Sequence, residues 1–164
     1  MNSKREKVEK SLNECQKHIH RISLVSKKMN SFMPLTLESF RQLSDDEVEH
    51  VDQFLFRFAK LQDALGGKLF KSILLFLEED DVRKMPFLDI LNRLEQLAII
   101  DDVDSWLLLR ELRNELAHEY EDDETAYKKV NQIYEKREQL EKISLSAKQF
   151  LKKRGFFTEP SSSS

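Results

Sequence analysis

The first segment of the chain, from Lys4 to about Lys28, carries apolar residues at alternating steps of three and four. That spacing puts them on one narrow face of an α-helix, where successive residues are about 100° apart. Such a stripe can pack inside a helical bundle or against a partner helix. Its members are Val8, Leu12, Cys15, Ile19, Ile22 and Val25. His18 and His20 lie beside the stripe and are expected to be solvated.

A weaker pattern follows this helix and ends at a helix-start signal. Between residues 30 and 43, Pro34 would break any helix, so the stretch is predicted to be a loop with one short turn at 37–43. Ser44 and Glu47 then have the spacing of a capping box, in which each side chain accepts a hydrogen bond from the other residue's backbone N–H. A long helix is therefore predicted to begin there.

The helical spacing after Ser44 continues as far as Leu77, with Gly66 and Gly67 in its middle. Two adjacent glycines inside a helix cost about 2 kcal/mol relative to alanine. They predict a kink or a close helix crossing, and a plain break between two helices explains them nearly as well. The apolar positions are Val48, Val51, Phe54, Leu55, Phe58, Leu61, Leu65, Leu69, Phe70, Ile73, Leu74 and Leu77.

Two further helices are predicted in the next part of the chain. Pro86 suits the first position of a helix, because a backbone N–H there would have no partner within the helix. The inward-facing residues of this helix are Leu88, Leu91, Leu94 and Leu97. The second helix runs from about Ser105 to His118. Its buried side is defined by Leu109, Leu112 and Leu116.

Asp122 and Asp123 begin a last long helix, and Gly155 can cap its end. Its apolar stripe is Ala126, Val130, Ile133, Leu140, Ile143, Ala147 and Phe150. The predicted fold is all-α, an up-and-down bundle of about five helices. Residues 1–157 would form a single domain, and residues 158–164 a disordered serine-rich tail.

Composition narrows the classes of function. With 164 residues, 40% of them hydrophobic and 35% charged, the chain can bury a core without disulfides or metal staples. A single cysteine, Cys15, excludes an intramolecular disulfide and a thiolate cluster for zinc. The net charge of −3 argues against broad adhesion to nucleic acid but leaves room for a local basic site. No secretory signal or apolar run of bilayer length is evident, so a cytoplasmic protein is expected.

Candidate chemistry is confined to the segment 113–120, which reads Arg-Asn-Glu-Leu-Ala-His-Glu-Tyr. Motifs such as a Gly-rich phosphate loop, GxSxG, HExxH or CxxC are absent. Arg113 and His118 lie about 140° apart on a helical wheel. They can act on one phosphate only if the helix ends near His118 or a second copy of the chain completes the pocket. Asn114 is one turn before His118 and can hydrogen-bond to it. Dimerisation is therefore predicted.

Arginine and histidine together are suited to cutting RNA without a metal or another cofactor. A base can take the proton from a ribose 2′-OH, and the guanidinium can stabilise the charged phosphorane that forms. DNA lacks that hydroxyl and would be left intact. On these residue types alone, however, a solvated helix end explains the pattern more simply.

Arg113, Asn114, His118 and Tyr120 form a pattern that resembles the RX4HXY motif of HepT-type HEPN proteins. The resemblance spans about residues 44–150, and its specific part is the motif itself. It implies that Arg113 and His118 are a ribonuclease pair in a site formed across a homodimer, with Asn114 in support. It also implies that an MNT-type nucleotidyltransferase antitoxin adds AMP to Tyr120, and that the substrate is tRNA or mRNA.

Two other functions stay open. The same fold can serve as a non-catalytic substrate-binding partner of a nucleotidyltransferase, with Arg113 holding a phosphate, or the motif can be a plain helix end in a structural protein. The chain also departs from the shorter HepT proteins in its long segment before Ser44. The acidic residues near the motif would repel RNA and could attract a basic partner; they are Glu115, Glu119, Glu121, Asp122 and Asp123.

Overall fold

Eight α-helices make up most of the chain that the computed structural model describes, which is residues 3–79, 81–116 and 122–157. They are α1 (Ser3–Met29), α2 (Leu37–Arg41), α3 (Asp45–Ala64), α4 (Phe70–Phe76), α5 (Phe87–Gln96), α6 (Val103–Glu115), α7 (Asp123–Glu135) and α8 (Arg137–Lys153). A π-helical turn (Leu65–Leu69) joins α3 to α4, and a 3₁₀ turn (Val82–Lys84) precedes α5. These residues contain no β-strand, so the predicted all-α bundle is confirmed. The predicted tail lies outside the described residues.

Helix α1 lies along α3 and also contacts the π-helical turn, α4 and α8. All six residues of its predicted stripe are buried. Burial raises the pKa of the Cys15 thiol to about 12, so this side chain stays protonated and packs as an apolar group. None of the described helices is both long enough and apolar enough to cross a membrane.

His18 on α1 is not solvated, contrary to the expectation from sequence. Arg57 of α3 reaches across, and its Nη1 lies 3.1 Å from His18 Nδ1. Burial, and next the charge of Arg57, lower the pKa of His18 and favour the neutral imidazole. His20 is exposed, as predicted. The two histidines differ because only His18 faces the neighbouring helix.

The helix-start signal predicted at Ser44 is confirmed. Ser44 Oγ accepts a hydrogen bond from the Glu47 N–H at 3.1 Å, and Glu47 Oε1 accepts one from the Ser44 N–H at 2.9 Å. The short turn predicted in the preceding loop is α2, which begins with its own capping box between Thr36 and Ser39. These local bonds satisfy backbone N–H groups that would otherwise have no partner at a helix start.

The two glycines lie within a continuous helical path, so they mark a close crossing and not a plain break. A Cβ placed on Gly66 would lie 2.7 Å from Cζ2 of Trp106 in α6. A Cβ on Gly67 would meet no heavy atom within 4 Å. Gly66 therefore lets α6 approach the π-helical turn, and Gly67 faces open space.

Alanine substitutions at these glycines are expected to change stability in opposite directions. Gly66→Ala should lower the free energy of unfolding by about 1–3 kcal/mol, because the new methyl group overlaps the rigid Trp106 ring. Gly67→Ala should raise it by up to about 1 kcal/mol, because alanine loses less backbone entropy on folding. Urea unfolding followed by circular dichroism measures both variants. A similar effect of the two substitutions would contradict the close approach at Gly66.

Leu88 was expected to face inward and Val48 to belong to the apolar stripe of its helix, but both are exposed. Leu88 is 53% exposed and Val48 is 42% exposed. In α5 the buried arc is centred on Ile90, Leu91 and Leu94, and Leu88 lies about 110° from that centre. Val48 lies in the first turn of α3, and the stripe reaches the core only from Val51 onward.

The predicted last long helix is two helices, α7 and α8, separated at Lys136. Arg137 Nη1 donates a hydrogen bond of 2.7 Å to the Tyr134 carbonyl, which lies in the final turn of α7. The Lys136 N–H bonds to Ile133, three residues back, which tightens that turn. The predicted cap at Gly155 is confirmed: its φ is 75°, and the Phe156 N–H reaches the Leu151 carbonyl at 3.0 Å.

Candidate functional site

An open cleft of about 610 Å³ lies where α6 crosses the π-helical turn. Arg113 and Asn114 line it from the last turn of α6, and Gly66 and Gly67 line it from the π-helical turn. Two of the four predicted site residues thus share one cleft. The other two, His118 and Tyr120, lie outside the described residues.

Helix α6 lines this cleft with the side next to its buried face, and Trp106 belongs to both. The helix starts where Asp102 accepts a hydrogen bond of 2.7 Å from the Ser105 N–H. Its core face consists of Trp106, Leu109 and Leu112, none more than 2% exposed. The helix ends at Glu115, three residues before His118. The sequence required either that the helix end near His118 or that a second copy of the chain complete the pocket. The observed end of α6 agrees with the first requirement.

Asp63, near the end of α3, holds Arg113 through both of its carboxylate oxygens. Arg113 Nε lies 2.9 Å from Oδ1, and Nη2 lies 2.9 Å from Oδ2. These hydrogen bonds raise the pKa of Arg113, so the guanidinium stays charged. The Asp63 side chain is 51% exposed, so solvent and an incoming anion can both reach the pair. The Arg113 N–H groups that would bind a phosphate are thus bound to a carboxylate that an incoming anion can displace.

Asp63 was missed by sequence reasoning because it lies 50 residues from Arg113. A weak signal was present: Asp63 precedes Gly66 and Gly67 by about one helical turn, so it shares their face of the helix. A close helix crossing was predicted at these glycines. A polar residue on the same face was therefore a candidate to bind a side chain of the helix that crosses there.

A second arginine and an aromatic ring form another part of the cleft. Arg110 lies on α6 one turn before Arg113 and Asn114, with its guanidinium carbon 4.8 Å from the ring centroid of Phe87 in α5. No carboxylate of the described residues is within ion-pair distance of Arg110. A guanidinium stacked on an aromatic ring still has N–H groups that point outward in its own plane. These groups can donate hydrogen bonds to an anion.

Gln62 adds an unsatisfied amide at the same cleft. Its side chain is 3% exposed, and neither Oε1 nor Nε2 has a hydrogen-bond partner in the part of the chain that the structure describes. A buried amide without partners costs about 1–3 kcal/mol. Gln62 is thus a buried amide, unpaired among the described residues, in the wall of the cleft, near the donors of Arg110 and Arg113.

Three of the acidic residues near the motif have local partners. Glu115 pairs with Lys129 at 2.8 Å, and Asp123 pairs with Arg41 at 3.1 Å. Asp122 accepts a hydrogen bond of 2.7 Å from the Thr125 N–H at the start of α7. The charges of Glu115 and Asp123 are compensated within the fold, so the repulsion of RNA expected from these two residues is weaker than the sequence suggests. Glu119 and Glu121 lie outside the described residues.

Among the described residues, no three His, Cys, Asp or Glu side chains are grouped so as to hold a metal ion. Comparison of the chain with protein-family models, with curated proteins and with solved structures finds no match. Any functional assignment therefore has to be argued from the residues of the cleft and from the motif.

Proposed function

We propose that the protein is a HepT-like toxin of a HEPN/MNT toxin–antitoxin pair, a metal-independent endoribonuclease that uses Arg113 and His118. The observation that carries the proposal is the end of α6. Its last turn brings Arg113 and Asn114 to an open cleft beside Arg110, and the helix ends three residues before His118. Positive charge, hydrogen-bond donors and a nearby imidazole are the groups that RNA cleavage requires.

In the proposed reaction, His118 takes the proton from a ribose 2′-OH. The 2′-oxygen attacks the adjacent phosphorus and the bond to the 5′-oxygen breaks. That oxygen takes a proton from water as it leaves, and the hydroxide formed takes up the proton that His118 had accepted. The products are a 2′,3′-cyclic phosphate and a 5′-hydroxyl. Arg113 turns its fork from Asp63 to the phosphate and stabilises the phosphorane, whose charge exceeds that of the ground state. Asn114 supports the site from the same helix turn.

A homodimer would let Arg113 of one copy act beside His118 of the other. AMP added to Tyr120 by an MNT-type nucleotidyltransferase would place bulky negative charge two residues from His118 and exclude RNA. Such a pair would act in the cytoplasm, on tRNA or mRNA.

The experiment is metal-free cleavage of total tRNA by the purified protein in EDTA, beside His118→Ala purified in the same way. We expect cyclic-phosphate ends from the parent protein and at least about 100-fold slower formation of them by the variant. A DNA oligonucleotide of matching sequence should stay intact, because it lacks the attacking hydroxyl. Equal cleavage by parent and variant, or no cleavage by unmodified parent protein, would count against the proposal.

A second candidate function is supported by the Arg113–Asp63 pair. Arg113 is held by two hydrogen bonds to Asp63. An arginine held in this way suits a stable binding surface as well as a catalytic site. On this alternative the protein is a non-catalytic substrate-binding partner of a nucleotidyltransferase. Co-purification with such an enzyme, together with absence of RNA cleavage, would favour it.

A further inference from the structure

An open groove of about 640 Å³ lies between residues 7–14 of α1, the π-helical turn, α4 and the 3₁₀ turn. Its charged residues are Lys7, Lys10, Lys68, Lys71, Arg83 and Glu14. The single carboxylate, Glu14, is bound by Lys68 at 2.8 Å. A chain whose net charge is −3 therefore concentrates an excess of positive charge in one place.

Four of these cations have no compensating partner among the residues that the structure describes. No carboxylate of the described residues is within ion-pair distance of Lys7, Lys10, Lys71 or Arg83. Like charges held near one another repel, which lowers stability unless an anion binds among them. Some charges elsewhere in the fold are paired between distant segments, as Arg41–Asp123 and Arg93–Glu79 illustrate. The groove thus has the character of a site for a polyanion.

The groove adjoins the candidate cleft at Gly67, which lines both. Gly67 has no side chain, and nothing lies within 4 Å of where its Cβ would be. An extended chain can therefore pass from the cleft, with Arg110 and Arg113, over Gly67 and into the groove. A positively charged groove that follows the backbone is how proteins bind single-stranded nucleic acid.

We propose that this groove binds the phosphates of an RNA strand on one side of the segment held in the cleft. The inference rests on the proposed function, because it names where that substrate lies beyond the cleft. A membrane surface fits less well. The groove is concave, and its apolar lining residue, Leu75, is half-buried instead of protruding. Such a groove would let an acidic protein bind RNA, since the cations are gathered where the strand would run.

The test measures binding of a fluorescein-labelled oligouridylate of about 20 nucleotides, long enough for cleft and groove together. Every protein carries His118→Ala, so that cleavage does not interfere. The groove variant combines Lys7→Gln, Lys10→Gln, Lys71→Gln and Arg83→Gln. The control removes the same charge elsewhere on the surface with Lys27→Gln, Lys28→Gln, Lys152→Gln and Lys153→Gln. Circular dichroism checks that both sets fold.

We expect the groove variant to bind at least about tenfold more weakly than the control, with a salt slope lower by as much as about 2.8, or about 0.7 for each lost phosphate contact. Equal affinities for the groove variant and the control would overturn the proposal. Loss of binding to anionic phosphatidylserine vesicles, with RNA binding retained, would overturn it in favour of a membrane surface.

The two proposals can fail separately. If the parent protein cuts no RNA but the groove variant still loses binding, the groove stands and the ribonuclease assignment falls. If the parent protein cuts RNA and the groove variant binds like the control, the assignment stands and the groove falls.

Discussion

Arg113→Ala is expected to lower the rate of metal-free tRNA cleavage by about 100- to 1000-fold, the usual cost of removing a group that stabilises the charged transition state. His118→Ala is expected to cost about 100- to 10,000-fold, the range for losing a general base. Both rates are measured under single-turnover conditions in EDTA with end-labelled tRNA. Arg113→Lys should recover little, because an ammonium lacks the two-armed geometry that a phosphate engages.

Arg41→Ala is the matched control for this experiment. It also removes the arginine of an exposed arginine–aspartate pair between helices, with Nε 3.1 Å from Asp123. It leaves the cleft unchanged and uncovers only the exposed charge of Asp123, so it should cleave within about fivefold of the parent rate. A loss equal to that of Arg113→Ala would mean that both substitutions act through folding, and the catalytic role of Arg113 would be withdrawn.

Asp63→Asn is expected to act in the opposite direction to Arg113→Ala. Substrate phosphate must displace Asp63 from the arginine fork, so a weaker partner should favour binding and cleavage. The gain should be at most about fivefold, because an exposed ion pair contributes no more than about 1 kcal/mol. A loss of activity in Asp63→Asn would instead assign Asp63 the task of holding Arg113 in position.

Trp106→Ala is expected to lower the free energy of unfolding by about 3–5 kcal/mol. The side chain is 1% exposed, and its ring centroid lies 4.7 Å from that of Phe70. It also fills the crossing at Gly66, so its removal leaves a cavity directly beneath the cleft. Urea unfolding gives the change in free energy, and the cleavage assay shows whether the cleft still functions.

Phe56→Ala is the control for removing an aromatic ring. Phe56 is 54% exposed on α3, so its loss should cost less than about 1 kcal/mol. If Trp106→Ala were no more destabilising than Phe56→Ala, the central place of Trp106 in the crossing would be wrong. Trp106→Phe should fall between the two, since it keeps part of the buried volume.

Local pattern was sufficient to predict most of the helices and several of their ends, although it missed the break between α7 and α8 at Lys136. The stripe of α1, the capping box at Ser44 and the cap at Gly155 depend on residues within a few positions of one another. Helical periodicity and capping are interactions of that range, so a single sequence contains them. The fold class followed from these elements. Arg113 and Asn114 were likewise placed near the end of a helix, and their chemistry stays a prediction.

Only the tertiary structure decided how distant residues meet. Asp63 and Arg113, 50 positions apart, form a pair, and the groove gathers cations from Lys7 to Arg83. Arg57 of the neighbouring helix shields His18 from solvent, and helical spacing alone does not predict that contact. These contacts depend on which helix faces pack together, and many packings are compatible with the same periodic pattern. The sequence therefore determined the helices and the candidate motif, and packing determined the charge environment in which the motif would act.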